Sequence, residues 1–439
     1  MRYILSLLII LASPAWAELK VEVTQGQVNP LPMALLDFEF EDDETKDIAS
    51  HIAGVIQNDL RRTGLFSMVP SKSFIQATLP IEMTPRYQDW KIIKAEALIN
   101  GKVSKNPDGS ISVGFRLWDI YAESMMASSA MKTKKKYWRR IAHLIADAIY
   151  KRITGEQGYF DTRIVYVSET GKQMERVKRL AIMDQDGANH KYLTDGKVMA
   201  MSPRFNPTCQ TITYMTYDQK VPKVFILDLE TGQQQLVGKF PGLTYAPRFS
   251  PDGKKVIMSQ SLDGNSAIYT LDLATRRVSQ LTKGPFIDTS PCYSPDGSKV
   301  IFNSDRGGRK QVYLMDADGK NVKRISFGGG SYATPVWSPR GDLIAFTKQE
   351  YGQFYIGVMK PDGTGERNVS MGFMVESPTW SPNGRTIIFW RQGKSNEDGT
   401  IAPAHLHAID ITGRNERSVP TPKEATDPAW SPPLPLTLK

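Results

Sequence analysis

Six stretches of the chain share one pattern: a proline, an aromatic residue, then Ser-Pro or Asn-Pro and a tight turn. They are RFNP around Asn206, RFSPDG around Ser250, CYSPDG around Ser294, VWSPRG around Ser338, TWSPNG around Ser381 and AWSPP around Ser431. The steps between them are 44, 44, 44, 43 and 50 residues. A fixed period of about 40 to 50 residues marks a propeller or a solenoid, whose single units cannot bury their own apolar faces.

The residues inside each unit choose between the two. After the turn comes an alternating strand, as in KVIMSQ, KVIFNS, LIAFTK and TIIFWR. A second strand ends in a turn, as in VFILDLETG, AIYTLDLATR, QVYLMDADG and YIGVMKPDG, and a third follows, such as VKRIS. With the segment before Ser-Pro, each unit holds four short strands separated by Gly, Asp, Asn or Pro. No amphipathic helix fits beside them, so helical solenoids are excluded and a propeller blade remains.

Strands like KVIFNS occur six times, beginning with RIVYVS at Arg163. The aromatic-Ser-Pro strand is missing before Arg163, and an extra copy closes the chain at Trp430. A ring explains the offset: DPAWSP completes the first blade, and no edge strand is left open to aggregation. The longer final step predicts a loop insertion near GKSNEDGT.

The residues before this array do not repeat. MALLDF reads as a buried strand, and Ile48, Ile52, Val55, Ile56 and Leu60 mark one helix face, stopped by Gly64. EALINGKVS and SISVGFRLW flank the turn NPDG as a hairpin, and Trp138, Ile141, Ile145 and Ile149 mark a last helix ended by Gly155. The expected fold class is therefore α+β multidomain: a small N-terminal α/β domain over residues 18–155, then a six-bladed β-propeller over 156–439 closed by the C-terminal strand.

The opening residues MRYILSLLIILASPAWA combine Arg2, a short apolar run and the small-x-small site Ala15-Trp16-Ala17. They predict a secretory signal peptide, residues 1–17, and export of a mature chain without a transmembrane segment. The net charge of +9 includes six basic residues in KTKKKYWRR, Lys132 to Arg140. Export removes nucleic acid from the expected partners, and the run reads as a solvated turn leading into a helix. Cys209 and Cys292 lie in different repeat contexts and are expected to be free thiols.

Chemistry is sparse. No G-x-S-x-G elbow and no nucleotide-binding motif occurs. His405 and His407 are spaced as on one face of a strand, and the Asp-Gly pairs are what tight turns require, so no metal or cofactor is expected. The reading is a non-enzymatic interaction module. The alternatives are a periplasmic hydrolase or lyase, or a glycan-binding propeller, with its site in the central funnel. Paired carboxylates at one mouth would favour an enzyme, and exposed aromatics there a glycan.

The whole array, together with IQNDLRRTGLF (Ile56 to Phe66), INGKVSKNPDGSISV and YKRITGEQGYFDTRIVYVSE, resembles the TolB family, the periplasmic propeller proteins of the Tol-Pal system. One departure is RFNPTC where the family's Ser-Pro-Asp-Gly turn is expected. The resemblance implies a protein that binds the lipoprotein Pal through the propeller and TolA through the mature N-terminus. It further implies a role in outer-membrane integrity and in constriction during cell division.

The mouth expected to take Pal is formed by the loops preceding the innermost strands. These carry Thr244, Tyr245 and Ala246; Asp288, Thr289 and Ser290; Tyr332, Ala333 and Thr334; Glu376 and Ser377; Thr426 and Asp427. The opposite mouth, with the SPDG turns, reads as structural. The TolA segment is Glu18, Leu19, Lys20, Val21, Glu22, Val23, Thr24, Gln25, Gly26 and Gln27, within an N-terminal stretch of residues 18–32. Its alternating Leu19, Val21 and Val23 suit pairing with a partner's sheet edge.

Overall fold

In a computed structural model, the strands that follow the Ser-Pro turns are apolar on both faces, because a blade has a neighbour on each side. Val300, Ile301 and Phe302 are all buried. Ile301 packs with Val336, Ile344 and Phe346 of the following blade, whereas Val300 and Phe302 pack with Ile257 and Ile268 of the preceding one. The expected alternation is thus replaced by near-continuous burial, as in any sheet covered on both faces. The structure describes residues 29–171, 175–218, 221–239, 243–262, 264–395 and 401–436. The expected leader, the Glu18–Gln27 segment and most of the GKSNEDGT insertion lie outside them. The chain divides into two compact units, one ending at Glu156 and one spanning Gln157–Thr437.

The first unit is a five-stranded sheet of β1 (Leu31–Leu35), β2 (Phe66–Met68), β3 (Ala97–Lys105), β4 (Ser110–Asp119) and β5 (Ser124–Lys134). Their order is β2-β1-β3-β4-β5. Helix α1 (Asp43–Arg62) starts at a capping box: the Thr45 N–H donates to Asp42 Oδ1 at 2.8 Å, satisfying one of the free amides of the first turn. Its Ile52, Val55, Ile56 and Leu60 are buried. A short helix α2 (Tyr87–Ile92) and the long α3 (Trp138–Thr154) complete the unit, and α3 ends on Gly155 at φ 74°. A left-handed C-terminal residue of this kind favours glycine. The buried His143 Nδ1 lies 2.5 Å from Asp59 Oδ2, tying α3 to α1.

The basic run is in part the expected turn leading into a helix, since Lys135–Tyr137 form a single 3-10 turn before α3, and in part a strand end. Lys132–Lys134 are the end of β5, with Thr133 buried opposite Ile111 and the two lysines exposed, so the period is two rather than that of a loop. Of these lysines, Lys132 pairs with Asp108 across the β3–β4 turn.

The second unit is six four-stranded antiparallel sheets. Their innermost strands are Glu424–Trp430 in the first blade, then Met199–Phe205, Leu243–Phe249, Thr289–Tyr293, Ser331–Trp337 and Met374–Trp380. Three of the Ser-Pro turns are locked by one repeated set of bonds. Ser250 Oγ donates to Asp252 Oδ1 at 2.6 Å and accepts from the Lys255 N–H at 2.9 Å, and Ser294 and Ser381 do the same with Asp296 and Asn383. Gly253 takes φ 71° at the point where the turn needs it. The aberrant RFNPTC turn still forms, with Asn206 Oδ1 accepting from both the N–H and the hydroxyl of Thr208.

Ring closure is as expected. Glu424–Trp430 pairs with Arg163–Thr170, placing Trp430 beside Ile164 and Thr426 beside Val167. The Trp430 indole donates to Thr162 Oγ1 at 2.8 Å, and Arg163 N–H donates to Ser431 Oγ at 2.9 Å. These contacts join residues 268 positions apart, so closure rests on a strand far in sequence from the one it pairs with. Trp430→Ala should cost about 3–5 kcal/mol in urea unfolding. Truncation after Asp427 should unfold the propeller as one unit; a truncated chain that melts with the full chain would contradict closure by this strand.

Candidate functional site

In every innermost strand one non-glycine residue sits in the left-handed region, immediately before a proline. These are Ser202, Ala246, Ser290, Thr334, Ser377 and Asp427, with φ between 46° and 55°. The pairing register slips at each described pair here, for example between Tyr245 and Arg248 and between Thr289 and Cys292. The cause is the proline. Pro247 and its equivalents have no N–H to give the ladder, so the strand bulges where the missing bond would be. The innermost strand is an edge, the place in a sheet where proline is tolerated.

This corrects the placement of the expected mouth residues. Apart from Asp288, they do not lie in loops before the strands but inside them, at and beside the bulge. Tyr245, Ala246, Thr289, Ser290, Ala333, Thr334, Glu376, Thr426 and Asp427 are partly exposed. Thr244, Asp288, Tyr332 and Ser377 are buried and so support this lip rather than face it.

Their partners show how. Asp288 receives both of its bonds from Arg306 Nη2, at 3.0 and 2.8 Å, and is 1% exposed. The Tyr332 hydroxyl donates to Glu366 at 2.7 Å, and Glu366 also binds Lys348 at 3.1 Å. Burial and then this carboxylate push the Tyr332 phenol well above its usual range. Thr426 donates to Glu169, which also takes Lys178 and Arg176. Burial opposes ionisation of Glu169, but these three donors outweigh it and hold its carboxyl below the usual range. Arg306 and Glu169, unmarked in sequence, are the residues that reasoning from spacing missed.

Glu376 and Asp427 differ from the rest of the lip, which is neutral. Burial pushes the Glu376 carboxyl up, and the nearby Asp427 pushes it further. Asp427 itself has only long contacts, to Ser202 Oγ and Arg204 Nη2, both at 3.5 Å. A six-fold lip of mostly hydroxyl and methyl groups, with Tyr245 and one acidic sector, can recognise a surface.

Two family descriptions match the chain: the TolB amino-terminal domain over residues 19–126, and the TolB beta propeller domain over residues 150–434. The chain belongs to the TolB family of Tol-Pal system proteins. It is 62% identical over 422 residues to the Tol-Pal system protein TolB of Paramagnetospirillum magneticum (strain ATCC 700264 / AMB-1), covering 96% of this chain and 94% of that one. It is 58% identical over 440 residues to the TolB of Pelagibacter ubique (strain HTCC1062), covering 98% of each. The crystal structure of TolB from Acinetobacter baumannii superposes with a TM-score of 0.83 at 28% identity, over 94% of this chain and all of that one. These relatives are named as Tol-Pal system proteins and not as enzymes. Among the described residues of this TolB chain, no helix is long and apolar enough to cross a membrane. The two cysteines are unpaired, Cys209 exposed and Cys292 buried.

The raised Glu376 carboxyl gives a signed pH test. A folded-state pKa above the ordinary 4.5 means that ionisation weakens the folded state at neutral pH. Glu376→Gln removes that cost, so the variant should melt above the parent at about pH 7. The advantage should vanish near pH 3.5, where the group is protonated folded or unfolded. A melting difference equal at both pH values would contradict this environment for Glu376.

Proposed function

We propose that this chain is a non-enzymatic, periplasmic interaction component of the Tol-Pal system. Its bulged mouth binds the lipoprotein Pal, and its N-terminal residues Glu18–Gln27 bind TolA, supporting outer-membrane integrity and constriction during division. The observation that carries the reading is the lip itself. It is held by buried pairs such as Asp288–Arg306, and its partly exposed groups are uncharged apart from Glu376 and Asp427. Rigid, preorganised surfaces of this kind lose little entropy on docking a protein. Membership of the Tol-Pal system supports protein partners within that system, and the small-x-small site at Ala15–Ala17 supports export.

One observation favours the enzymatic alternative: Glu376 and Asp427 share a sector of the mouth, and burial and then Asp427 push the Glu376 carboxyl up. A hydrolase or lyase would use such a pair as acid and base. Against it stands the naming of the chain's relatives as Tol-Pal system proteins and not as enzymes.

Thr289→Arg with Ala333→Arg places two long cations on the lip at positions of ordinary backbone conformation. Pal binding by calorimetry should weaken at least about tenfold, the scale of a buried charge at an interface, with an unchanged melting curve. Removing Glu18–Gln27 should abolish TolA binding and leave Pal binding intact. Full Pal affinity in the double variant, or full TolA affinity in the deletion, would overturn the respective half of the reading. Hydrolysis of an envelope glycan by the parent but not by Glu376→Gln would establish the enzymatic alternative.

A further inference from the structure

Two residues past each left-handed position, the inner strand turns one side chain into the channel. Around the ring these are Arg204, Arg248, Cys292, Val336, Thr379 and Ala429. Four are neutral, and two are guanidinium groups on neighbouring blades. All six line one cavity of about 340 Å3, which continues toward the Ser-Pro turns, at the end of the inner strands away from the bulges. The aromatic residues of the repeat wall it: Phe205, Phe249, Tyr293, Trp337 and Trp430.

The charge in this cavity is poorly matched by the protein. Arg204, only 8% exposed, donates to the Pro203 carbonyl at 2.6 Å and reaches Asp427 at 3.5 Å. Arg248 makes no ion pair among the described residues, and its buried Nε has no hydrogen-bond partner. Burial, then repulsion from Arg204, lowers the Arg248 pKa to about 10, so the group is still a cation at neutral pH. Arg248 is half-buried, and a partly desolvated guanidinium without a close counter-charge is costly; an anion placed against the pair relieves both desolvation and repulsion.

The shape narrows the anion. Guanidinium forks match a planar carboxylate with two parallel bonds. Aromatic walls favour a flat apolar body by stacking and edge contacts. The volume lies at the small end of the ligand-pocket range, about 300–1,000 Å3. We propose that the turn-bearing end of the propeller channel is a binding site for a small aromatic carboxylate, its carboxylate held by Arg204 and Arg248 and its ring against the aromatic wall. The aromatic wall lies at the turn-bearing end of the channel, with Arg204 also reaching Asp427 of the bulged mouth, and the proposal does not depend on Pal binding there.

Calorimetry on the whole chain with indole-3-acetate, indole-3-acetamide and inorganic phosphate tests the assignment. Indole-3-acetate should bind saturably at one site. The amide, which lacks the charge, and phosphate, which lacks the ring, should each bind at least about tenfold more weakly, the loss expected for a charge-assisted hydrogen bond. Arg248→Gln should weaken indole-3-acetate by a similar factor, whereas Thr289→Arg at the far mouth should not. No saturable binding of indole-3-acetate, or equal binding of the amide or of phosphate, overturns the proposal. Because that ligand series uses the unaltered chain, it is decisive even if Arg248→Gln fails to fold.

Discussion

Burial of both faces of each blade is the constraint on which the second unit depends. A sheet with Val300, Ile301 and Phe302 in successive positions has no face to offer water. Each blade therefore needs two neighbours, and a row of blades satisfies that need only by closing on itself. Closure falls to Glu424–Trp430, which must travel back to Arg163–Thr170 and is pinned there by Trp430, Ser431 and the Glu169 ion pairs. Stability is thus spread around the ring, and the inner edge of each blade is left without a further strand to pair with.

That freedom is what the prolines exploit. An innermost strand has an unpaired edge by construction, so a residue without an N–H costs little there. Its six bulges turn an otherwise regular edge into a lip. The same strand two residues later carries either a guanidinium or a small neutral group, so one element serves both ends of the channel. The lip needs buried braces, and Arg306 under Asp288, Glu366 under Tyr332 and Glu169 under Thr426 provide them.

Much of this is legible in the residues. The 44-residue period, the missing first copy and the extra last one determine blade number and closure without any long-range information. The helix over Asp43–Arg62 and its Gly64 stop follow from periodicity and turn chemistry. Other features are not legible, each for a physical reason. Strand β5, SMMASSAMKTK, carries few β-branched residues and a lysine cluster, and its strand period is set by pairing with β4. The bulges read as loops because a positive φ at Ala246 or Thr334 has no glycine to announce it. Asp288 looks like a surface acid until Arg306, 18 residues on, folds beneath it. The Arg204–Arg248 pair becomes visible only when blades 44 residues apart are set side by side around the channel.

The central claim is that the bulged inner strands form the partner-binding surface of a closed TolB propeller. Hydrogen–deuterium exchange of the full chain, with and without Pal, tests it most directly. Binding should slow exchange in the inner-strand segments around Tyr245, Thr289, Ala333 and Glu376, with the Ser-Pro turns at the other end of the channel unchanged. Protection confined to the outer strands or to the turns around Ser250, Ser294 and Ser338 would contradict the account.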